Sequence, residues 1–133
     1  MTTRTAAQRR TESRLSYQAR FTACPANRLI ERLGDKWVAV LLNELADGPR
    51  RYGDVARAIA GASQKMLTET LRNLERDGLI SRTVTPAVPV RVDYALTDLG
   101  RSLLPVMAVM KQWAEQNIDR IDAAREEYDA RDR

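Results

Sequence analysis

Between Asp77 and Thr97 the hydrophobic period of this chain changes from 3.6 to two and then back again, and that switch leaves few folds open. Before it, Leu67, Leu71 and Leu74 recur at helical spacing. After Gly78, Ile80 and Val84 alternate with Ser81, Thr83 and Thr85, and further on Val92, Tyr94 and Leu96 alternate with Asp93 and Ala95. The two alternating runs are separated by Pro86-Ala87-Val88-Pro89-Val90, a loop stiffened by two prolines. The pattern predicts one β-hairpin set between two helices, with Arg82 and Arg91 near its tip.

The helices around the hairpin are punctuated by local signals. Pro25 suits the first turn of a helix, where its missing N–H costs nothing, and this helix runs to Leu33 with Gly34 as its stop. Asp35 is placed to cap a second helix carrying Trp37, Leu41 and Leu45, and Asp47-Gly48-Pro49 ends it. A short third helix carries Tyr52, Val55 and Ile59, closed by Gly61. Ser63 offers an N-cap for a fourth, which reaches Asp77 and ends at Gly78. Thr97 caps a long last helix with Leu99, Leu103, Met107, Met110 and Trp113 along it and Pro105 inside, where a bend is expected. Residues 1–23 have apolar side chains too sparse for a sustained face and read as an arm, partly disordered or helical near Leu15–Phe21.

Composition removes several function classes. The 133 residues contain no histidine and one cysteine, Cys24, which excludes His-based catalytic triads, zinc fingers and an intrachain disulfide framework. There is no phosphate-cradling glycine loop, no cluster of metal ligands and no nucleophile–base pair, so neither an enzyme nor a bound metal or cofactor is expected. No apolar run approaches the roughly 18 residues that span a bilayer, and the N-terminus lacks a secretory apolar region. The expectation is a cytoplasmic protein with no membrane partner. Net charge is +4, distributed as +4 over residues 1–23, +2 over 24–117 and −2 over 118–133. A basic arm on a mildly basic body suits a polyanionic partner.

Four helices, a hairpin and a further helix give the order of a winged helix-turn-helix. The third and fourth helices are the helix-turn-helix pair and the hairpin is its wing. The expected fold is α+β, mainly α, with a two-stranded wing and a long C-terminal dimerisation helix. Its expected parts are a basic arm over 1–23, the winged domain over 24–117 and a helical extension over 118–133. In such a domain the fourth helix enters the major groove and the wing lies along the neighbouring backbone or minor groove.

The sequence also resembles the HxlR-type winged-helix transcription regulators, relatives of the MarR type. The resemblance runs from about Cys24 to Asn117. It is carried by Cys24-Pro25, Gly34-Asp35-Lys36-Trp37, Gly48-Pro49-Arg50-Arg51-Tyr52, Ser63-Gln64-Lys65-Met66-Leu67-Thr68, Leu71-Arg72 and Leu74-Glu75. It continues through Asp77-Gly78-Leu79-Ile80, Pro86, Val88-Pro89, Arg91-Val92-Asp93-Tyr94 and Leu96-Thr97-Asp98-Leu99-Gly100. Departures are mild: family members often carry Phe at Tyr52, Gly at Asp35, Pro at Val90 and Glu at Asp93. The resemblance implies a bacterial homodimer, most often a repressor, that binds pseudo-palindromic double-stranded promoter DNA and answers a chemical signal.

Each candidate residue has a plainer reading beside it. Gln64, Lys65, Thr68 and Arg72 would be an ordinary solvated face on an anonymous helix, but here they follow a turn and precede a wing. Gln pairs with adenine, Lys and Arg pair with guanine, and the hydroxyls of Ser63 and Thr68 serve phosphate or base. Arg82 and Arg91 on the wing, with Arg50 and Arg51 before the third helix, are phosphate candidates, and solubility charge is their alternative. Met66, Trp37 and Tyr94 are assigned to packing. Met107, Met110, Trp113, Ile118 and Ile121 exceed what one small domain covers, so a partner subunit is expected over them, the alternative cover being the arm of the same chain.

Cys24 lies at a helix start, where exposed N–H groups and the dipole favour negative charge. It is either a small packing residue or the sensor of an oxidant or electrophile, as the matching cysteine is in several proteins that this chain resembles. A small-molecule effector is the alternative signal. A winged-helix adaptor that does not bind DNA is the rival function, although such adaptors tend to lose the basic helix face and wing retained here.

Overall fold

The computed structural model describes residues 3–34 and 36–132. The chain divides into two compact units, one up to Val38 and one from Ala39 onward. The first holds α1 (Ala6–Ala23) and α2 (Pro25–Leu33), separated by the single residue Cys24. The arm is therefore helical over 18 residues, far beyond the stretch expected from apolar spacing. Ala, Gln, Arg and Leu are strong helix formers, and propensity supplies here what periodicity lacks. Thr5 caps the start of α1, its Oγ accepting from the Gln8 N–H at 3.1 Å. Pro25 opens α2 and Gly34 closes it, as expected. Lys36 Nζ stands 5.1 Å from the centre of the Trp37 ring, within cation–π range. Asp35, the expected cap of the next helix, lies outside the described residues.

That next helix, α3 (Val38–Glu44), begins one residue after Trp37, which sits half-buried in the preceding turn. The second unit then runs through β1 (Arg50–Arg51), α4 (Tyr52–Ala58), α5 (Gln64–Arg76), β2 (Ile80–Thr85), β3 (Arg91–Leu96) and α6 (Asp98–Arg131). Its core is Leu41 and Leu42 from α3 with Leu45 just after it, Val55 from α4 with its C-cap Ile59, and Leu67, Leu71 and Leu74 from α5. Leu79, Ile80 and Tyr94 complete it. Met66 is 43% exposed, which corrects its assignment to packing. At 100° per residue it falls about 110° from the middle of the leucine stripe, outside the buried face.

The sheet has three strands in the order β1-β3-β2, all antiparallel. The wing pair is joined by a two-residue edge strand: Arg50 lies opposite Tyr94, and Arg51 opposite Asp93. Two residues carry no periodicity, so this strand is defined only by its pairing. The hairpin register runs from Ile80 opposite Leu96 at the base to Thr85 opposite Arg91 at the tip. The tip loop contains a cis Val88–Pro89 bond.

Helix α5 is fixed at both ends. The Met66 N–H donates to Ser63 Oγ at 3.1 Å, the N-cap expected from sequence. At its other end Gly78 takes φ +76°, which lets the Leu79 N–H reach the Leu74 carbonyl (3.0 Å) and the Gly78 N–H reach that of Glu75 (3.0 Å). This is a Schellman closure with Leu79 folded back on Leu74, and a side chain at position 78 would strain it. The same turn anchors α6. The Thr97 N–H donates to the Leu79 carbonyl (3.1 Å), and its hydroxyl donates to the Gly78 carbonyl (2.6 Å) while accepting from the Gly100 N–H (3.1 Å). Gly100 is buried against this turn, where an added Cβ would lie 2.0 Å from the Leu79 oxygen. Helix α6 continues without a break through Pro105 for 34 residues, although the Arg101 carbonyl loses its N–H partner there.

Candidate nucleic-acid interface

The helix-turn-helix pair is α4 and α5, linked by residues 59–63, in which the Ala62 N–H donates to the Ile59 carbonyl at 3.0 Å. With Leu67, Thr70, Leu71 and Leu74 buried, helical geometry divides the rest of α5 into two strips. Lys65, Arg72 and Arg76, with Glu69 among them, form the ridge directly opposite the core and are exposed. Gln64 and Thr68 lie on the flank of that ridge, also exposed. No carboxylate pairs with Lys65, Arg72 or Arg76 among the described residues.

Arg82 is opposite Tyr94 in the ladder, so it belongs to the middle of the hairpin, not its tip. This corrects the expected position and changes the residue's surroundings. Directly paired residues share a sheet face, so Arg82 stands on the face of Ile80 and Tyr94, which carries the core. Arg91 holds the last rung before the loop, and its Nε donates to an Asp93 carboxylate oxygen at 2.9 Å.

These elements enclose an open cleft of about 660 Å³. Arg51, Gln64, Thr68, Arg82 and Arg91 line it together with Tyr52, Pro89 and Val90. Five of the nine residues expected to contact DNA therefore come together at one place, from three separate stretches of chain. Arg51 and Arg82 have no carboxylate partner among the described residues. The result is a positive groove beside an exposed helix face, able to take phosphate oxygens while the helix presents side chains to base edges.

The other four stand outside the cleft. Lys65 and Arg72 are on the outer ridge of α5. Ser63 has its oxygen engaged by the helix cap. Arg50 is held by Glu44, donating from Nε to the backbone carbonyl at 3.1 Å with the carboxylate at 3.9 Å. Sequence reasoning missed Tyr52, Pro89 and Val90 as lining residues. Tyr52 follows two arginines directly, and that adjacency was the available signal.

A family model for the HxlR-like helix-turn-helix matches residues 32–122, from the end of α2 to about three quarters of the way along α6. The chain belongs to the HxlR-like helix-turn-helix family. Over 102 residues it is 44% identical to the uncharacterized HTH-type transcriptional regulator YdeP of Bacillus subtilis, covering 77% of this chain and 80% of that one. The reduced form of the redox regulator HypR has a TM-score of 0.70 and 37% identity, over 75% of this chain and 99% of the other. The reduced form of the B. subtilis transcriptional regulator YodB has a TM-score of 0.64 and 38% identity, over 70% and 92%. The protein is a transcriptional regulator with a winged helix-turn-helix, and its HxlR-like relatives are regulators rather than enzymes.

Two further sets of residues predicted from sequence have clear positions. Cys24 is the half-buried N-cap residue of α2, and its side chain makes no capping hydrogen bond. On α6, Met107 is half-buried, while Met110 (61%), Trp113 (57%), Ile118 and Ile121 are exposed, along with Val106, Val109 and Tyr128. Among the described residues no helix is long and apolar enough to cross a membrane, and no group of side chains could hold a metal ion.

Proposed function

We propose that this regulator binds double-stranded promoter DNA in the cytoplasm as a homodimer on a pseudo-palindromic operator and represses transcription. The observation that carries the reading is the cleft between α5 and the wing, where Arg51 and Arg82 lack carboxylate partners among the described residues. A protein surface that keeps guanidinium groups uncompensated beside an exposed polar helix is suited to a polyanion. Helix α5 lies in the major groove with Gln64, Lys65, Thr68 and Arg72 available to bases and groove edges, and Ser63 at its entry. Arg51, Arg82 and Arg91, with Arg50 in a lesser part, take backbone phosphates and set affinity rather than sequence choice.

The dimer is supported by α6, whose apolar side chains from Met107 to Ile121 are more exposed than a lone subunit sustains at low cost. Two subunits related by a two-fold axis present two α5 helices to half-sites about one turn of DNA apart. The winged unit spans 24–117, with residues 118–133 as its helical extension and 1–23 as the arm. For the signal, the similarity to a redox regulator and the position of Cys24 favour oxidation of this thiol. With one cysteine in the chain, oxidation ends in a sulfenic acid, a small-thiol cap or a disulfide to another chain.

The test is a mobility-shift titration with DNA flanking the protein's own gene against a scrambled duplex. A retarded complex on the native fragment at concentrations that leave the scrambled one free is the expected result. Equal binding to both, or to neither, refutes the reading.

A further inference from the structure

Helix α1 falls outside the stretch matched by the family model, and its charges have a layout that the winged fold does not explain. Arg9, Arg10, Arg14 and Arg20 are all exposed. At 100° per residue they fall within an arc of about 140°, with Tyr17, itself 64% exposed, between them. The only acid of the helix, Glu12, lies outside that arc and is taken by Arg4 at 2.6 Å. No ion pair neutralises any of the four arginines among the described residues.

This arrangement works against the helix that carries it. Arg10 and Arg14 are like charges at i, i+4, which costs a few tenths of a kcal/mol. Arg9 and Arg10 stand close behind a first turn that has no acidic residue, at the positive end of the helix dipole. Nor do the described side chains of α1 form an apolar stripe for packing or for a lipid surface: Leu15 and Tyr17 point about 160° apart, and Leu15 is 58% exposed. What remains is one cationic face with no neutralising partner among the described residues. From Arg9 to Arg20 the helix advances about 16 Å, a length over which duplex DNA presents on the order of ten phosphates.

We propose that the Arg9/Arg10/Arg14/Arg20 face of α1 is a second contact with duplex DNA, directed at the sugar–phosphate backbone and adding affinity without sequence choice. The inference rests on the DNA-binding reading above. It separates the chain's DNA contacts into a winged unit that discriminates and a helix that adds non-specific affinity.

The experiment uses the full chain and two fluorescein-labelled duplexes, the native flanking fragment and its scramble, in anisotropy titrations from 50 to 300 mM KCl. The variant replaces Arg9, Arg10, Arg14 and Arg20 with Gln, and a companion replaces all four with Lys. Circular dichroism verifies that the helix content is kept. Each phosphate contact contributes about 0.9 to the salt slope, so the Gln variant should show a slope shallower by about 3 to 4 per subunit. For a dimer that amounts to about 7, and the difference in affinity from wild type then shrinks on the order of a hundredfold between 100 and 200 mM salt. Both duplexes should weaken by the same factor, and the Lys variant should keep the wild-type slope. An unchanged slope in the Gln variant overturns the proposal, and if native DNA is still preferred the reading of α5 and the wing stands. A Gln variant that loses self-association in sedimentation, with its slope unchanged, assigns the face to a second copy and also overturns the proposal. Wild-type protein that binds neither duplex overturns both.

Discussion

Replacing Gly100 with Ala sets two rules against each other with opposite signs. Helix propensity alone favours Ala over Gly by about 1 kcal/mol in a helix interior. The geometry says otherwise, because the new Cβ would stand 2.0 Å from the Leu79 carbonyl oxygen and 3.0 Å from its carbon. Unbonded heavy atoms settle at roughly 3.5 Å, so the first turn of α6 must retreat by more than an ångström. Overpacking of that kind costs about 1–3 kcal/mol. The retreat also strains the Thr97 N–H bond to the Leu79 carbonyl and the Thr97 hydroxyl bond to the Gly78 carbonyl, each worth about 1 kcal/mol. After the propensity gain is subtracted, Gly100→Ala should lose about 2–4 kcal/mol. That is a large share of the roughly 5–15 kcal/mol by which a domain is stable.

The assay is urea unfolding followed by circular dichroism at fixed protein concentration, with Gly53→Ala as the internal control. A Cβ on Gly53 meets only the Arg57 side chain at 3.6 Å, an ordinary contact, so that variant should gain up to about 1 kcal/mol. The expected result is a lower midpoint for Gly100→Ala and an equal or higher one for Gly53→Ala. A Gly100→Ala protein as stable as wild type would falsify the close approach of α6 to Leu79.

Four further outcomes test the site and the assembly. Ser63→Ala removes the acceptor for the Met66 N–H and should cost about 1 kcal/mol in the same unfolding assay. Arg72→Ala should weaken binding to the native DNA fragment by about 1–3 kcal/mol and erode the preference over scrambled DNA, read by competition titration. Trp113→Glu puts a charge on an exposed apolar row of α6, so sedimentation velocity at micromolar concentration should find monomers where wild type is dimeric. Diamide should abolish DNA binding by wild type, with recovery in dithiothreitol, while Cys24→Ser binds throughout. Equal responses of the two proteins would move the signal to a bound small molecule.

The parts legible in the sequence were those written in local chemistry. Ser63, Gly78 and Thr97 mark the ends of α5 and the start of α6 because caps act on neighbouring backbone groups. The leucine stripe of α5 and the alternation of the hairpin likewise need only a few residues to be read. What escaped depends on pairing across distance. Arg82 moves from the tip to the middle of the wing because register fixes its row, and alternation states only its face. Strand β1 exists through its bonds to β3 and carries no pattern of its own. The cleft draws on α4, α5 and the wing, so Tyr52 could be placed on its helix from sequence but not beside the wing. The full length of α1, beyond the stretch expected near Leu15–Phe21, escaped because its described side chains form no buried face and only residue type favours the helix.

The clamp formed by Thr97, Gly78 and Leu79 makes α6 a lever whose fulcrum is the end of α5. At about 1.5 Å per residue, its 34 residues extend some 50 Å from that fulcrum. A tilt of roughly 5° at the fulcrum moves the far end by about 4 Å, more than half a helical turn. The relation also runs in reverse: whatever grips the distal half of α6 sets the angle at which α5 is presented. The weakest rung of the lever is at Pro105, in its second turn, where the Arg101 carbonyl has no N–H to receive. Flexing concentrates at that rung, so the stiffness of the first two turns determines how faithfully a displacement of the far end is transmitted to α5.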